Sequence, residues 1–558
     1  MAPRISPLMA AWLLCGAVPA LAADFGPPPA QLIPPRLAHV PKLPSDRQLE
    51  AMHARIGRIE IHIVQIFDLS NPADNHWLYR LADRLHVPTR PAAVRALLLF
   101  HTGDLYSRAI LEETARDIRE NVQYLREPVI RPIAYHHGIV DIEVITHDVW
   151  TLEPGLDFSR AGGVNAYGAQ FQDSNFLGTG KYAEVGWSQD IYRHSVYLNW
   201  SDPNVDGTHW TDNAMYQSNS DGTVWGVAGS YPFFSLETRY DLGIDAGSDH
   251  SIQQRYSLGQ RYDAYDNVWT TGDVFAGRSL VINDRWTDRL LVGWRVDDSE
   301  FYRAPDYALL APLPSDRDLS YPFVRMQWTR NNYVTIDNLA MIARTEDVHL
   351  GLDASVGAGY AAPALGADRH SLLLDSELAD TYELTPAQEL FVNGRLSSRF
   401  EYGAMHDGIA TGSANYYLIT SDDTRFYLAL SGDIGHNLDG DHYFDLGGDD
   451  GLRGYPLRYQ NGNQLVLFTA EERLYTQWFP FRLFNVGGAV FYDMGRTWGT
   501  TLTPTPQFGL LKDAGLGLRL GNARSSFGSV IHLDLAFPLD REPHIAHMQF
   551  LVSTQQTY

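Results

Sequence analysis

VIHLDLAF, residues 530–537, alternates: Leu533, Leu535 and Phe537 point one way, His532 and Asp534 the other. Side chains of a β-strand repeat with a period of two, so this stretch reads as a strand with one apolar and one ionisable face. The device recurs in SVYLNWSD (195–202), where Val196, Leu198 and Trp200 oppose Ser195, Tyr197 and Asn199. It recurs again in RLLVGWRV (289–296) and in FVRMQWTR (323–330), where Val324, Met326 and Trp328 oppose Arg325 and Gln327. A dry sandwich core tolerates Arg and Asp on its inner face poorly, because burying an uncompensated charge is costly. Segments of about ten residues, apolar outside and polar inside, are instead the signature of a transmembrane β-barrel.

Working outward, this text runs from Gly155 to Tyr558, and 404 residues of it are too many for one soluble sandwich core. Candidate strands number from sixteen to about twenty, and about 16 antiparallel strands is the expectation. The chain has 558 residues, with 13 Trp and 30 Tyr, and no run of 18 apolar residues, so any membrane crossing falls to strands. Lys+Arg number 43 against Asp+Glu 67, a formal charge of −24, which excludes nucleic acid as a partner because phosphate binding needs a positive field.

Residues 1–22 carry one charge, Arg4, then an apolar run from Leu8 to Val18 and the small-residue site Ala20-Leu21-Ala22, the pattern of a secretory signal peptide. Cys15, the only cysteine, lies within it, so disulfides and thiolate metal sites are not expected in the exported chain. Residues 23–55 are proline-rich, including Pro27-Pro28-Pro29 and Pro34-Pro35, and predict an extended leader. Residues 56–150 read differently. RIEIHIVQI (58–66) alternates as a strand, and Thr89 with Pro91 opens a helix through Val94, Leu97 and Leu98 that stops near Gly103. SRAILEETARDIRENV (107–122) carries an apolar stripe of Ile110, Leu111, Ala115, Ile118 and Val122, with Glu112 four residues ahead of Arg116. PVIRPIAY (128–135) and GIVDIEVITHDVW (138–150) add two strands, giving β-α-α-β-β.

One loop breaks the alternation. FDLGGDDGLRGYP (444–456) holds four glycines, three acidic residues and the single arginine Arg453. It resembles the inward-folding sixth surface loop of the outer-membrane assembly factor and two-partner-secretion transporter superfamily, with matches at Gly447, Gly448, Arg453, Gly454 and Tyr455. Three further pieces agree in order: NFLGTGK (175–181) is similar to the family's text after its first hairpin, FYDMG (491–495) to its aspartate-bearing strand, and GDLYS (103–107) to part of a POTRA domain. The resemblance implies an all-β transmembrane barrel, 155–558, in the bacterial outer membrane, with a small N-terminal α+β POTRA-like domain, 56–150, in the periplasm.

The resemblance also implies a lumen lock. Arg453 at the loop tip is expected to meet Asp493 and a glutamate in LFTAEERLY (467–475), with Gly454 close to the wall and Tyr455 packed. Alternation places Thr469, Glu471 and Arg473 on one face, which selects Glu471 and leaves Glu472 as the alternative. Arginine suits this role because its planar fork pairs with carboxylates in a bidentate geometry that lysine cannot reproduce.

The barrel's closing seam falls between GLDFSRAGG (155–163), with Leu156 and Phe158, and HMQFLVSTQQTY (547–558), with Phe550, Val552 and Tyr558. Glycine and a short apolar face make this pairing weak, and the family resemblance implies a lateral gate there. The function expected is capture of unfolded or extended polypeptide clients by the POTRA-like domain and their insertion into or passage across the membrane. Outer-membrane lipid and periplasmic or membrane accessory proteins are the other partners expected. A passive barrel for transport or surface binding is the alternative.

No enzyme, cofactor or metal is expected. GLGLRLG (515–521) alternates as a strand and opens no helix, so it is not a dinucleotide loop. His136-His137, His544 and His547 have no third ligand at useful spacing, and Asp433, Asp439 and Asp441 lack the calcium-loop pattern. No Ser/His/Asp arrangement can be nominated.

Overall fold

The computed structural model describes residues 43–66, 80, 84, 86–283, 285–342, 345–480, 484–503, 506, 508–522 and 530–555. The residues read as a signal peptide, most of those read as a leader, and Tyr558 lie outside the described residues.

The N-terminal unit is a three-stranded sheet. Strands β1 (Arg55–Val64), β2 (Leu125–His136) and β3 (Ile139–Asp148) take the order β1-β3-β2, with β1 parallel and β2 antiparallel to β3. The parallel pair requires a crossover, which helices α2 (Pro91–Ala96) and α3 (Arg108–Asn121) supply. Ile56 and Ile59 from β1, Val94 from α2, Leu111 and Ile118 from α3, and Val140, Ile142 and Val144 from β3 bury together as its core. Two local expectations change. Helix α1 (Asp46–Ala51) lies inside the stretch read as a leader, and its Leu49 is fully buried in that core. Glu112 pairs back to Arg108 at 2.6 Å instead of forward to Arg116, whose guanidinium lies 3.6 Å from the centre of the Tyr333 ring.

From Leu152 the chain forms a closed antiparallel barrel of twenty strands, each hydrogen-bonded to its sequence neighbours in the barrel. About sixteen was too few. Polar segments such as Thr211–Asn219, TDNAMYQSN, have little apolar alternation to mark them, yet they pair as full barrel strands. The barrel is apolar outside and polar within: Leu156, Val196, Leu198, Ile244, Val274 and Val490 are exposed, whereas Glu184, Asp273, His532 and Asp534 are buried. In the strand Val530–Pro538 both ionisable side chains, His532 and Asp534, are on the buried face, as a polar lumen requires and a soluble core forbids. Among the described residues the ring closes through the register pair of Val552 opposite Arg160.

The N-terminal unit is docked on one mouth of the barrel. Arg90 N donates to Gly178 O at 2.9 Å, Asn175 Nδ2 to Thr89 Oγ1 at 2.7 Å, and Leu236 N to Glu113 Oε1 at 2.8 Å. Gly180 is needed here, since a Cβ would come within 2.5 Å of Tyr124 Oη. NFLGTGK therefore serves as a docking turn.

A closed ladder leaves no free edge and resists unfolding by detergent. Unheated samples in mild detergent should run with a different gel mobility from boiled ones; identical mobility together with full protease sensitivity would contradict the closed barrel.

Candidate functional site: a charged anchor in the lumen

Residues 437–463 leave the strand Thr424–His436 and return to the strand Gln464–Tyr475. Rather than extending into solvent, this loop pairs with itself (Phe444–Leu446 against Gln460–Gly462) and buries Leu446, Leu452, Tyr455 and Tyr459 against Leu465 and Leu511. Glycine permits backbone-to-backbone packing: a Cβ at Gly448 would lie 2.7 Å from Gly162 N, and one at Gly454 only 2.8 Å from Asp513 Cβ.

Arg453 stands at the tip. Its Nε and Nη2 donate to the two oxygens of Asp493 at 2.7 and 2.9 Å, the bidentate geometry that arginine alone provides. Nη1 donates to Glu471 Oε2 at 3.0 Å and to Asp534 Oδ2 at 3.2 Å, and the guanidinium lies 3.3 Å from the centre of the Phe491 ring. The carboxylates are shared further. Arg519 donates to Asp534 Oδ1 at 2.5 Å and Glu471 Oε1 at 3.1 Å, Arg473 to Glu471 Oε1 at 2.9 Å, and Thr469 Oγ1 to Asp493 Oδ1 at 2.9 Å. Three guanidinium groups thus face the three carboxylates that accept from them, all nearly inaccessible to solvent. Beside them Gly454 N donates to Asp513 Oδ2 at 3.0 Å. Tyr455 Oη donates to Asp540 Oδ2 at 2.9 Å and accepts from Lys512 N at 3.1 Å.

The structure brings Arg453, Gly454, Tyr455, Asp493 and Glu471 together; Glu472 faces outward and is exposed. Sequence reasoning missed Asp534, Arg519, Arg473 and Asp513 as members. Alternation had put Asp534 and Arg473 on the inner face, but a period of two gives the face of a residue and not its height along the wall.

At the seam, Leu156 and Phe550 are exposed on the outer surface, and Phe158 packs on Tyr167 with ring centres 5.7 Å apart. Val552 is buried opposite Arg160, so its register partner is four residues beyond Leu156.

Asp407, Asp439 and His442 bring potential ligand atoms within 4.8 Å of one another. Arg399 Nη2 at 2.7 Å and Arg317 Nη1 at 3.2 Å already hold Asp439, and His442 Nδ1 is 2.7 Å from Asp407 Oδ1. These carboxylates are compensated by cations of the chain itself, which makes the group an ion-pair network.

Comparison with known proteins follows this geometry. Among solved structures the fold is similar to CdiB from Escherichia coli (TM-score 0.48, 12% identity, covering 90% of this chain and 76% of that one) and CdiB from Acinetobacter baumannii (0.45, 12%, 90% and 73%). It is also similar to BamA from Haemophilus ducreyi lacking POTRA domains 1–3 (0.35, 13%, 89% and 85%). A search of curated protein sequences finds no match. Residues 175–555, which include the docking turn, the loop with Arg453 and every carboxylate that holds it, match the Omp85 superfamily domain, and the chain belongs to that superfamily.

Proposed function

We propose that this protein works in the bacterial outer membrane as a translocation or assembly barrel. Its N-terminal unit is a POTRA-like periplasmic domain that captures extended polypeptide clients, and the barrel passes them into or across the membrane. The observation that carries this reading is the inward loop pinned by Arg453 to Asp493, Glu471 and Asp534, which occupies lumen that an open channel would leave to water. Family membership supports the same reading. The domain's sheet has β1 and β2 as its edge strands, β1 being bridged to Leu105 only at its start among the described residues, and an exposed edge is a template on which an extended client can add a strand. The role assigned to the anchor is to hold the loop against the seam-side wall, and the role assigned to the seam is lateral release. Depleting the protein in its host and surveying outer-membrane proteins and lipids tests the function: selective loss of a class of either supports it, and an unchanged inventory refutes it.

Arg453→Ala strands buried carboxylates, a change of about 3–5 kcal/mol when one partner of a buried pair is removed. The variant should be exported but should lose its heat-modifiable form at lower temperature and expose the loop to protease. Arg453→Lys should rescue little, because it cannot bond bidentately to Asp493. Wild-type thermal behaviour of both variants and of Asp493→Ala would remove the anchor from the account.

For the seam, Arg160→Cys with Val552→Cys in a Cys15→Ser background places the new thiols at directly opposed positions. Oxidation should stop client delivery and reduction restore it. Full delivery through a crosslinked seam would rule out lateral release.

A further inference from the structure

Adjacent barrel strands need only a tight turn, and at the mouth that carries the N-terminal unit residues 386–387 and 422–423 are such turns. Residues 331–352, at the same mouth between the strands Arg317–Arg330 and Asp353–Ala361, are different. They contain a separate hairpin, Tyr333–Asp337 paired with Thr345–His349, that belongs to no barrel ladder.

The hairpin's connection is folded across the mouth. Leu339 is fully buried and Val348 and Leu350 nearly so against the inward Tyr417, with Phe391 and Tyr427 packed on them. Further on, Ile342 packs with Tyr475 and Val530, and a Cβ at Gly521 would lie 3.2 Å from its own Cβ. Val530 starts a strand eight places from Asp353–Ala361 in a ring of twenty, so the segment 338–342 reaches nearly the opposite wall. Its backbone is held there: the Glu346 carboxylate accepts from Leu339 N, Ala340 N and Met341 N at 2.8, 3.0 and 3.1 Å. Arg425 donates to Asn338 O at 2.8 Å and Asp337 O at 3.2 Å. Within the lumen, the strands beside this hairpin line a polar cavity of about 560 Å³ that includes Gln327, Ser355, Glu377, Thr411 and Asp433.

The other side of the hairpin faces helix α3. Arg119 Nε and Nη2 donate to the two oxygens of Asp347 at 2.5 and 2.9 Å, and Arg116 lies on the Tyr333 ring. These are the two arginines that the helix does not use for its own i, i+4 pairing.

We propose that this hairpin is a displaceable plug of the domain-side mouth, latched by α3 through Arg119–Asp347 and Arg116–Tyr333, so that a client engaging the N-terminal unit unlatches the lumen. The proposal rests on the reading of the barrel as a client conduit. Displacement breaks no barrel ladder, because the hairpin's two strands pair with each other; the contacts that must part include the aromatic shelf and the two bonds from Arg425. Gly351, at φ +122°, lies at the hairpin's root and gives it a pivot that other residues resist.

The test is conductance of the purified full chain in planar bilayers, with heat-modifiable mobility as the folding control. Replacing the hairpin by a two-residue turn should raise open-state conductance severalfold. Should that variant fail the folding control, the latch decides: Arg119→Glu and Asp347→Arg should each raise the open fraction severalfold, and the double exchange should return it to the wild-type level. Wild-type conductance in the folded hairpin-less chain, or in both single reversals, overturns the plug. The two readings separate cleanly. Raised conductance with an unchanged outer-membrane inventory on depletion keeps the plug and removes the conduit function; a perturbed inventory with unaltered conductance does the reverse.

Discussion

A guanidinium group inside a membrane-spanning lumen is stable only if its charge is met, and the fold is arranged around meeting it. Arg453 satisfies its donors on Asp493, Glu471 and Asp534, which lie on three different barrel strands. Those carboxylates need more than one cation, and Arg519 and Arg473 supply the balance. A network of this kind contributes less through net energy, where desolvation offsets much of the Coulomb term, than through position: one loop tip fits one place on the wall. The rest of the loop follows from that placement. With its tip fixed, Leu452, Tyr455 and Tyr459 can bury together, and the backbone reaches the turn at Gly162 and then the turn at Leu258, where Leu258 N donates to Tyr459 O at 3.1 Å.

That last contact spans the barrel. Leu258 lies at the end of the strand Tyr240–Ser257, nine places around the ring from Gln464–Tyr475 by the shorter path. The loop with Arg453 therefore crosses the lumen at the far end, as the hairpin at 333–349 crosses it at the domain side. Neither crossing adds a strand to the ladder. Both contain local hairpins that pair within themselves, which helps meet the condition for placing irregular chain inside a membrane protein.

The barrel was legible because its rule is one-dimensional. VIHLDLAF states it in eight residues, and the N-terminal β-α-α-β-β order is equally local. The strand number was less legible: TDNAMYQSN carries only Ala214, Met215 and Tyr216 toward an apolar reading, and pairing with its neighbours holds it in the wall. The hairpin was invisible for the converse reason. YVTID and TEDVH alternate as barrel strands do, and nothing in their composition says that they pair with each other and fold inward. In the anchor, the resemblance supplied Arg453, Asp493 and a glutamate that alternation narrowed to Glu471, but the height of Asp534 and Arg519 along the wall depends on strand stagger, which sequence does not carry. Leu49 escaped notice because a proline-rich neighbourhood hid a short helix.

The two crossings meet on the strand Gln464–Tyr475. Glu471, which holds Arg453, is bonded on its other oxygen by Arg473, and the Arg473 guanidinium lies 4.5 Å from the centre of the Tyr427 ring. Tyr427 and Tyr417, with ring centres 4.9 Å apart, form the shelf on which Leu339 of the hairpin is seated. Two residues further, Tyr475 packs against Ile342. Contiguous packing is not by itself evidence of energetic coupling. It does constrain how the ends can move. Withdrawing the hairpin uncovers the aromatic shelf under Arg473, and any shift of Arg473 alters the charge balance at Glu471. The strand Gln464–Tyr475 thereby serves both closures, Glu471 the loop and Tyr475 the hairpin, and so does Val530–Pro538, through Asp534 and Val530.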